Sequence, residues 1–405
     1  MVLLGILPES RRPHGTVQDR ARRVGPLACY NWNEAEPSPS APPAPREADM
    51  KGLIHIDGTM GEGGGQVLRS SLTLSLITGR PVELTRIRAH RRNPGLGFQH
   101  AMAVQAAATL SRARVEGNRT GSQTLYFAPG RVTPGRYHFD IGTAGSTSLV
   151  MQTILLPLAL TPGASQVTVT GGTHVPMSPC FHYLDWHWRP MLQRIGVDFA
   201  LHMPRAGFYP PGGGEIHAEI HGRSRVKGLE LPRRGRLREI RGLSAVANLP
   251  EEIGERQRRQ ALARLQAIDC PQAIAVETLP ALSPGTLLVL LARFEHGQAC
   301  FTALGARGKR AERVADEAVD ALEVFLARDA AVDRWMADQL LLPLALGRQP
   351  SVFTTSEVTS HLLTHADVIR AFLPADIRIV GAPGDPGTVH VQPRSPSHTA
   401  SEDAD

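Results

Sequence analysis

The stretch TSHLLTHADVIRAF, residues 359–372, places His361 and His365 four positions apart. On a helix that spacing puts both imidazoles on one face. Two such rings could ligate a metal, or one could act as a nucleophile beside a passive neighbour. A zinc helix built on two histidines carries Glu directly after the first, where this chain has Leu362. Nearby Glu357 and Asp367 complete no recognised ligand set. The residues thus argue against the metal pair and leave a nucleophile or a purely structural histidine open.

Other stretches could bind what such a nucleophile attacks. DGTMGEGGGQVLRS, residues 57–70, holds Gly61, Gly63, Gly64 and Gly65, more glycine than a tight turn needs. Backbone N–H groups at the start of the following helix would attract an anion. The loop is neither a Walker A motif, lacking Gly-Lys-Ser/Thr, nor a dinucleotide loop, since Gln66 stands at the third glycine position. Glu62 would repel a bare phosphate, so a metal ion between the two is expected. RIRAHRRNPGLGFQH, residues 86–100, carries four arginines followed by Gln99 and His100. It reads either as a solvated basic loop or as guanidinium forks for phosphate oxygens. In IGTAGSTSLVMQT, residues 141–153, Gly142, Gly145 and Ser146 suit an anion site or an ordinary helix N-cap equally. Asp338 and Gln339, in RWMADQLLLPLAL, could reach a ligand, and Trp335 offers a flat face for a base or for the core. GGTHVPMSPCFHY and YPPGGGEI read as structural turns.

These residues sit on a repeating order of elements. LIHID, GQVLRSSLTLSLITG, VELTRI, FQHAMAVQAAATLSRA, RVEG and QTLYFAP alternate between strand and helix periodicities as a βαβαββ unit. RYHFDI through GEIHAEI repeats that order. A third unit opens at VKGLELP, breaks off, and resumes with AVDRWMADQLLLPLAL. Three units of about 80 residues predict a triplicated α+β fold. The interruption, residues 233–329, has its own helices and strands and reads as a small inserted α/β domain. The three-repeat domain then spans residues 50–232 and 330–394.

Hydrophobic residues make up 42% and charged residues 20% of the 405, which fits a globular chain with a sizeable core. The apolar run of residues 147–160 is too short to span a membrane. A net charge of +6 suits a polyanionic partner without requiring one. Cys29, Cys180, Cys270 and Cys300 form no CxxC pair, so the sequence indicates neither a zinc site nor a disulfide framework, and a cytoplasmic location is the simplest expectation. Residues 1–49, rich in Pro, Ala and Ser, read as a disordered extension with Met50 as an alternative start, and residues 395–405 as a disordered tail.

In this order, DGTMGEGGGQVLRSSL, IRAHRRNPGLGFQH, GTAGSTSLVMQT, GGTHVPMSP, FYPPGGGEI, ADQLLLPLAL and SHLLTHADVIRAFLP resemble the RNA 3′-terminal phosphate cyclases, over about residues 52–393. The resemblance implies three βαβαββ repeats, as in the enolpyruvyl transferases, with a small inserted domain. It implies a ligase-type enzyme that uses ATP and Mg²⁺ or Mn²⁺ to convert an RNA 3′-phosphate end to a 2′,3′-cyclic phosphate. His361 matches the family's adenylylated nucleophile. Glu62 matches a metal ligand; Gln152, Trp335, Met336, Ala337, Asp338 and Gln339 match the nucleotide pocket. Arg69, Arg88, Arg91, Gln99 and His100 match groups serving the phosphates or the RNA end. Trp335 replaces a frequent tyrosine and His365 a frequent asparagine. The assembly state stays open, a homodimer included. Two rivals remain: a non-catalytic relative, which lacks the nucleophilic histidine, and an enolpyruvyl transferase, which needs neither that histidine nor ATP.

Overall fold

The computed structural model describes residues 52–393. The extension and tail expected at residues 1–49 and 395–405 lie outside the described residues. Three four-stranded sheets share one design. The first contains β1 (Ile54–Asp57), β2 (Val82–Thr85), β3 (Arg114–Glu116) and β4 (Leu125–Ala128) in the order β1-β2-β4-β3. Helices α1 (Gly65–Thr78) and α2 (Phe98–Ser111) connect its strands. The second contains β5 (Arg136–Asp140), β6 (Ser165–Gly171), β7 (Phe199–Arg205) and β8 (Gly214–Ile220) in the order β5-β6-β8-β7. Its helices are α3 (Thr147–Leu160) and a composite α4, made of Phe181–Tyr183, a π-helical turn at Leu184–Trp188, and Arg189–Arg194.

The third sheet pairs the two-residue β9 (Glu230–Leu231) with β14 (Ser351–Thr355), β16 (Gly387–Gln392) and β15 (Asp376–Val380). Read from β9, the order is again first, second, fourth, third. In all three sheets the first pairing is parallel and the other two are antiparallel. The triplicated α+β architecture expected from element order is therefore present.

Between β9 and the rest of the third unit lies a fourth sheet, β11-β10-β12-β13. Its strands are β10 (Leu237–Ala247), β11 (Gln272–Thr278), β12 (Gly285–Phe294) and β13 (Gln298–Leu304), with helices α5 (Glu251–Leu265) and α6 (Ala311–Leu326). The third unit resumes with α7 (Arg334–Ala345) and α8 (Ser360–Phe372).

The central helices are apolar on nearly every side because they are covered on nearly every side. In α3, every residue from Thr147 to Ala159 except Gln152 is buried. Buried hydroxyls on α1 are satisfied within the helix layer: Ser71 Oγ donates to the Val67 carbonyl, and Thr73 Oγ1 lies within hydrogen-bond distance of the Arg69 and Thr153 carbonyls. Ser71 and Thr73 thus pack between helices without an unmet hydrogen bond. Two local differences from the sequence reading have clear causes. The helix expected from Ala331 starts at Arg334, because the buried Asp333 side chain accepts the N–H groups of Trp335 and Met336 and caps it. The regular helix expected over FHYLDWHWRPMLQRIG contains the π turn. One extra residue in that turn shifts the helical phase, and His187 Nε2 meets Asp333 Oδ2 at 2.6 Å.

Candidate active site

The starts of α1, α2, α7 and α8 converge. Each contributes the residues of its first turns, which is where unpaired N–H groups and the positive end of the helix dipole lie. His361 is the second residue of α8, behind Thr359, whose hydroxyl accepts the Leu362 N–H. Met60, Glu62, Gly64, Gln66, His361 and Thr364 line a small pocket.

The glycine loop is glycine because neighbours stand where side chains would go. A Cβ on Gly61 would fall 1.7 Å from Thr364 Oγ1, one on Gly64 2.7 Å from Arg91 Nη2, and one on Gly65 2.3 Å from His100 Nε2. Gly61 also has φ of 56°, a region side chains disfavour. The loop therefore lies flat between α8 and the basic loop.

Glu62 bridges the two sides. Its Oε1 lies 3.1 Å from His361 Nδ1, and its Oε2 accepts from Arg91 Nη2 at 3.3 Å. A carboxylate at Nδ1 fixes the proton there and leaves Nε2 with its lone pair free. Burial lowers the His361 pKa, Glu62 opposes that, and Arg69 and Arg91 reinforce it. The ring is consequently neutral at neutral pH, as a nucleophile must be.

His365 does not join His361 as a metal pair. Its Nδ1 lies 2.8 Å from the Asp338 carbonyl, which can only accept, so Nδ1 carries the proton. Burial holds its pKa down at about 4. Its Nε2 is a buried acceptor without a hydrogen-bond partner among the described residues.

Asp338 accepts from Gln66 Nε2 at 2.8 Å, joining α7 to α1. Loss of solvent raises its carboxyl to about 7, with Arg69 opposing the rise. The same burial lowers Arg69 to about 10, still a cation at neutral pH. His100 is held neutral, at about 3, by burial and then by Arg69, Arg88 and Arg91. Its Nδ1 accepts the Gly97 N–H at 3.2 Å, so its Nε2–H points towards Gly65 and the start of α1.

Other residues singled out in the sequence are placed differently. Gln99 Oε1 accepts the Ser146 N–H at 2.8 Å, while Ser146 Oγ accepts from Leu149. In this structure Ser146 is an N-cap whose own N–H is taken by Gln99. Arg88 donates to the Gly95 carbonyl at 2.6 Å and braces the basic loop. Gln152 Nε2 donates to Gln339 Oε1 at 2.6 Å across α3 and α7. Trp335 is 42% exposed, with the Arg334 guanidinium 5.2 Å from the centre of its ring. Met336 and Ala337 are fully buried in the main core, so their side chains face packing. Sequence reasoning missed Gln66, Thr364 and the Asp333–His187 pair, each of which contacts a residue remote in sequence. Only the acidic residue before a helix start, at Asp333, left a local signal.

A neutral, carboxylate-held imidazole thus lies among cationic side chains where helix starts converge, on a triplicated α+β scaffold. The profile of the RNA 3′-terminal phosphate cyclase family matches residues 60–379. The chain is 45% identical over 356 residues to the RNA 3′-terminal phosphate cyclase of Methylococcus capsulatus, covering 85% of this chain and 99% of that protein. It is 45% identical over 340 residues to the one from Ralstonia nicotianae, covering 84% and 96%. Among solved structures, EPSP synthase from Acinetobacter baumannii superposes with a TM-score of 0.26 at 11% identity, over 84% of this chain and 64% of that one. The chain belongs to the RNA 3′-terminal phosphate cyclase family.

Proposed function

We propose that this chain is an enzyme that uses ATP to convert an RNA 3′-terminal phosphate to a 2′,3′-cyclic phosphate, with His361 as the covalent nucleophile. The observation that carries this reading is the Glu62 Oε1 to His361 Nδ1 contact of 3.1 Å at the convergence of helix starts. An RNA phosphate monoester is a poor electrophile towards its neighbouring 2′-hydroxyl, because its oxygens leave badly. His361 Nε2 attacks the ATP α-phosphorus and expels pyrophosphate, giving a histidyl adenylate. The RNA 3′-phosphate attacks that adenylate, which frees His361 and forms an RNA–adenylate anhydride. The 2′-hydroxyl then attacks the activated phosphorus, and AMP leaves with the cyclic ester formed.

The site residues divide the work by charge and reach. Glu62 holds the Nδ1 proton and keeps Nε2 aimed. Arg69, Arg88 and Arg91 and the neutral His100 Nε2–H supply donors for phosphate oxygens. Trp335 presents a half-exposed ring to the base, with Asp338, Gln339 and Gln152 beside it. Gln99 acts on the α3 start through Ser146. A hard divalent cation, Mg²⁺ or Mn²⁺, fits a site with one accessible carboxylate, because such ions keep several waters and substrate phosphate oxygens as ligands. Glu62 is that carboxylate, and the ion would supply charge neutralisation for the triphosphate.

The test is incubation with α-labelled ATP and magnesium, followed by denaturation. Label that is labile to acid and stable to base is expected on the wild type and absent from His361→Ala. An unlabelled wild type would sink the cyclase reading, leaving a non-catalytic relative. Equal labelling of His361→Ala would sink the residue assignment alone.

A further inference from the structure

A second cluster of potential ligands lies away from His361, in the turn read from sequence as purely structural. We propose that His174, Cys180 and His182 form a binding site for a thiophilic d¹⁰ metal ion, Zn²⁺ or Cu⁺, in the second repeat where it faces the inserted sheet. The ligand atoms of these three buried side chains lie within 4.8 Å of one another. His174 Nε2 and His182 Nδ1 face each other at 3.0 Å. Two nitrogens bound tetrahedrally at zinc distances lie about 3.3 Å apart, so the rings need part only slightly.

The surroundings suit such an ion. His174 Nδ1 lies 2.8 Å from Thr173 Oγ1, which also accepts the Gly207 N–H at 2.9 Å. A histidine whose outer nitrogen is held in this way keeps its inner nitrogen aimed at a metal. The Phe208 ring stacks on His174 with centroids 5.1 Å apart, and Trp186 sets its edge against His182 at 5.6 Å. Those walls exclude water and favour soft over hard cations. The Cys180 side chain sits at the start of α4 beside the backbone of His182 and Tyr183 and near Thr302 on β13. The second nearby thiol, Cys300, is on the same strand.

Binding balances simply. The Cys180 S–H proton leaves to solvent as the metal–sulfur bond forms. The single proton between the two rings moves to an outer ring nitrogen, freeing His174 Nε2 and His182 Nδ1 to bind the ion. One proton is released per ion, and burial of the uncharged imidazoles means that neither must first lose a charge.

The test is a titration of the full, chelator-treated chain, free of any histidine tag, with Co²⁺ as a coloured zinc substitute. The expected result is one equivalent bound, with an intense near-ultraviolet thiolate-to-cobalt band and one proton released. That band is expected to vanish in Cys180→Ser and to fall severalfold in His182→Gln. Zn²⁺ and Cu⁺, each added to the cobalt-loaded wild type, should bleach it, and the ion acting at the lower free concentration is the preferred occupant. Absence of the band in wild type would overturn the proposal without any variant, so a misfolded mutant cannot obscure the outcome. An undiminished band in Cys180→Ser would also overturn it. Adenylylation of His361 is expected to persist in Cys180→Ser, which separates this site from the proposed activity.

Discussion

At the scale of single residues, the proposed chemistry turns on which state His361 adopts. Burial lowers its pKa, and Glu62 is the largest influence opposing that fall. Protonated imidazole has no lone pair at Nε2, so the adenylylation rate should be flat at neutral pH and decline on the acid side, below the ordinary histidine value of about 6.5. Replacing Glu62 with Gln removes the charge that favours the protonated ring. The acid limb of the single-turnover rate should therefore move to lower pH in Glu62→Gln, while the plateau falls because Nδ1 loses its carboxylate. An acid limb that moved to higher pH would show that Glu62 does not act on His361 in this way. In the proposed reading the arginines act through charge on the RNA. Each phosphate contact to a single strand contributes about 0.7 to the slope of log affinity against log salt. Arg88→Ala and Arg91→Ala should each flatten that slope by about this amount in binding to an RNA with a 3′-phosphate, and unchanged slopes would remove both residues from RNA contact.

At the scale of elements, the glycine loop and α8 are fitted to each other. A Cβ on Gly61 would collide with Thr364 Oγ1, and the loop carries Glu62 on the next residue. Gly61→Ala should displace Glu62 from His361 and cut adenylylation by roughly 10²-fold, since misplacement by about an ångström costs that much. Adding Thr364→Ala removes the hydroxyl and leaves a carbon at 3.0 Å, so the double variant should regain part of the rate. No recovery, with unchanged circular dichroism, would mean that the positive φ of Gly61 is what matters. Much at this scale is legible from sequence, because a period of 3.6 or 2 is a local property and the order βαβαββ recurs. The proposed nucleophile is legible only through its motif, since one histidine in a helix has many uses. What sequence hides is long-range. Gln66 finds Asp338 across 272 positions. No local pattern predicts that Gln99 would take the Ser146 N–H, or that a π turn would bring His187 to Asp333. The VKGLELP strand shrinks to Glu230–Leu231 because only two residues pair with β14 before the chain departs into the inserted sheet.

At the scale of the whole molecule, the inserted sheet is a shared wall between two cores. On β12, Leu287, Val289 and Leu291 belong to the main core, while Leu288, Leu290 and Ala292 pack under α5 and α6. Alternation along a strand sends successive side chains to opposite faces, so one strand serves both. On β13, Cys300 faces the main core and Ala299 and Phe301 the other. Arg256 with Glu312, and Arg264 with Asp320 and Glu323, clamp the two covering helices together. These exposed pairs add little next to the buried apolar surface. A sheet apolar on both faces cannot lose either cover without exposing a large hydrophobic patch. Unfolding of the two cores should consequently be coupled, with one thermal transition for the folded body. Leu287→Ala opens a cavity on the main side and Leu288→Ala one on the insert side, each at a cost of about 2–5 kcal/mol. Both variants should move the same single transition to lower temperature. Calorimetry that resolved two transitions, one sensitive only to Leu287→Ala and the other only to Leu288→Ala, would show that the insert is an autonomous unit. In the coupled case, a cavity under α6 loosens the sheet face that also supports Trp335, whose ring lies 6.1 Å from Phe301. Leu288→Ala should then raise the KM for ATP more than it lowers kcat.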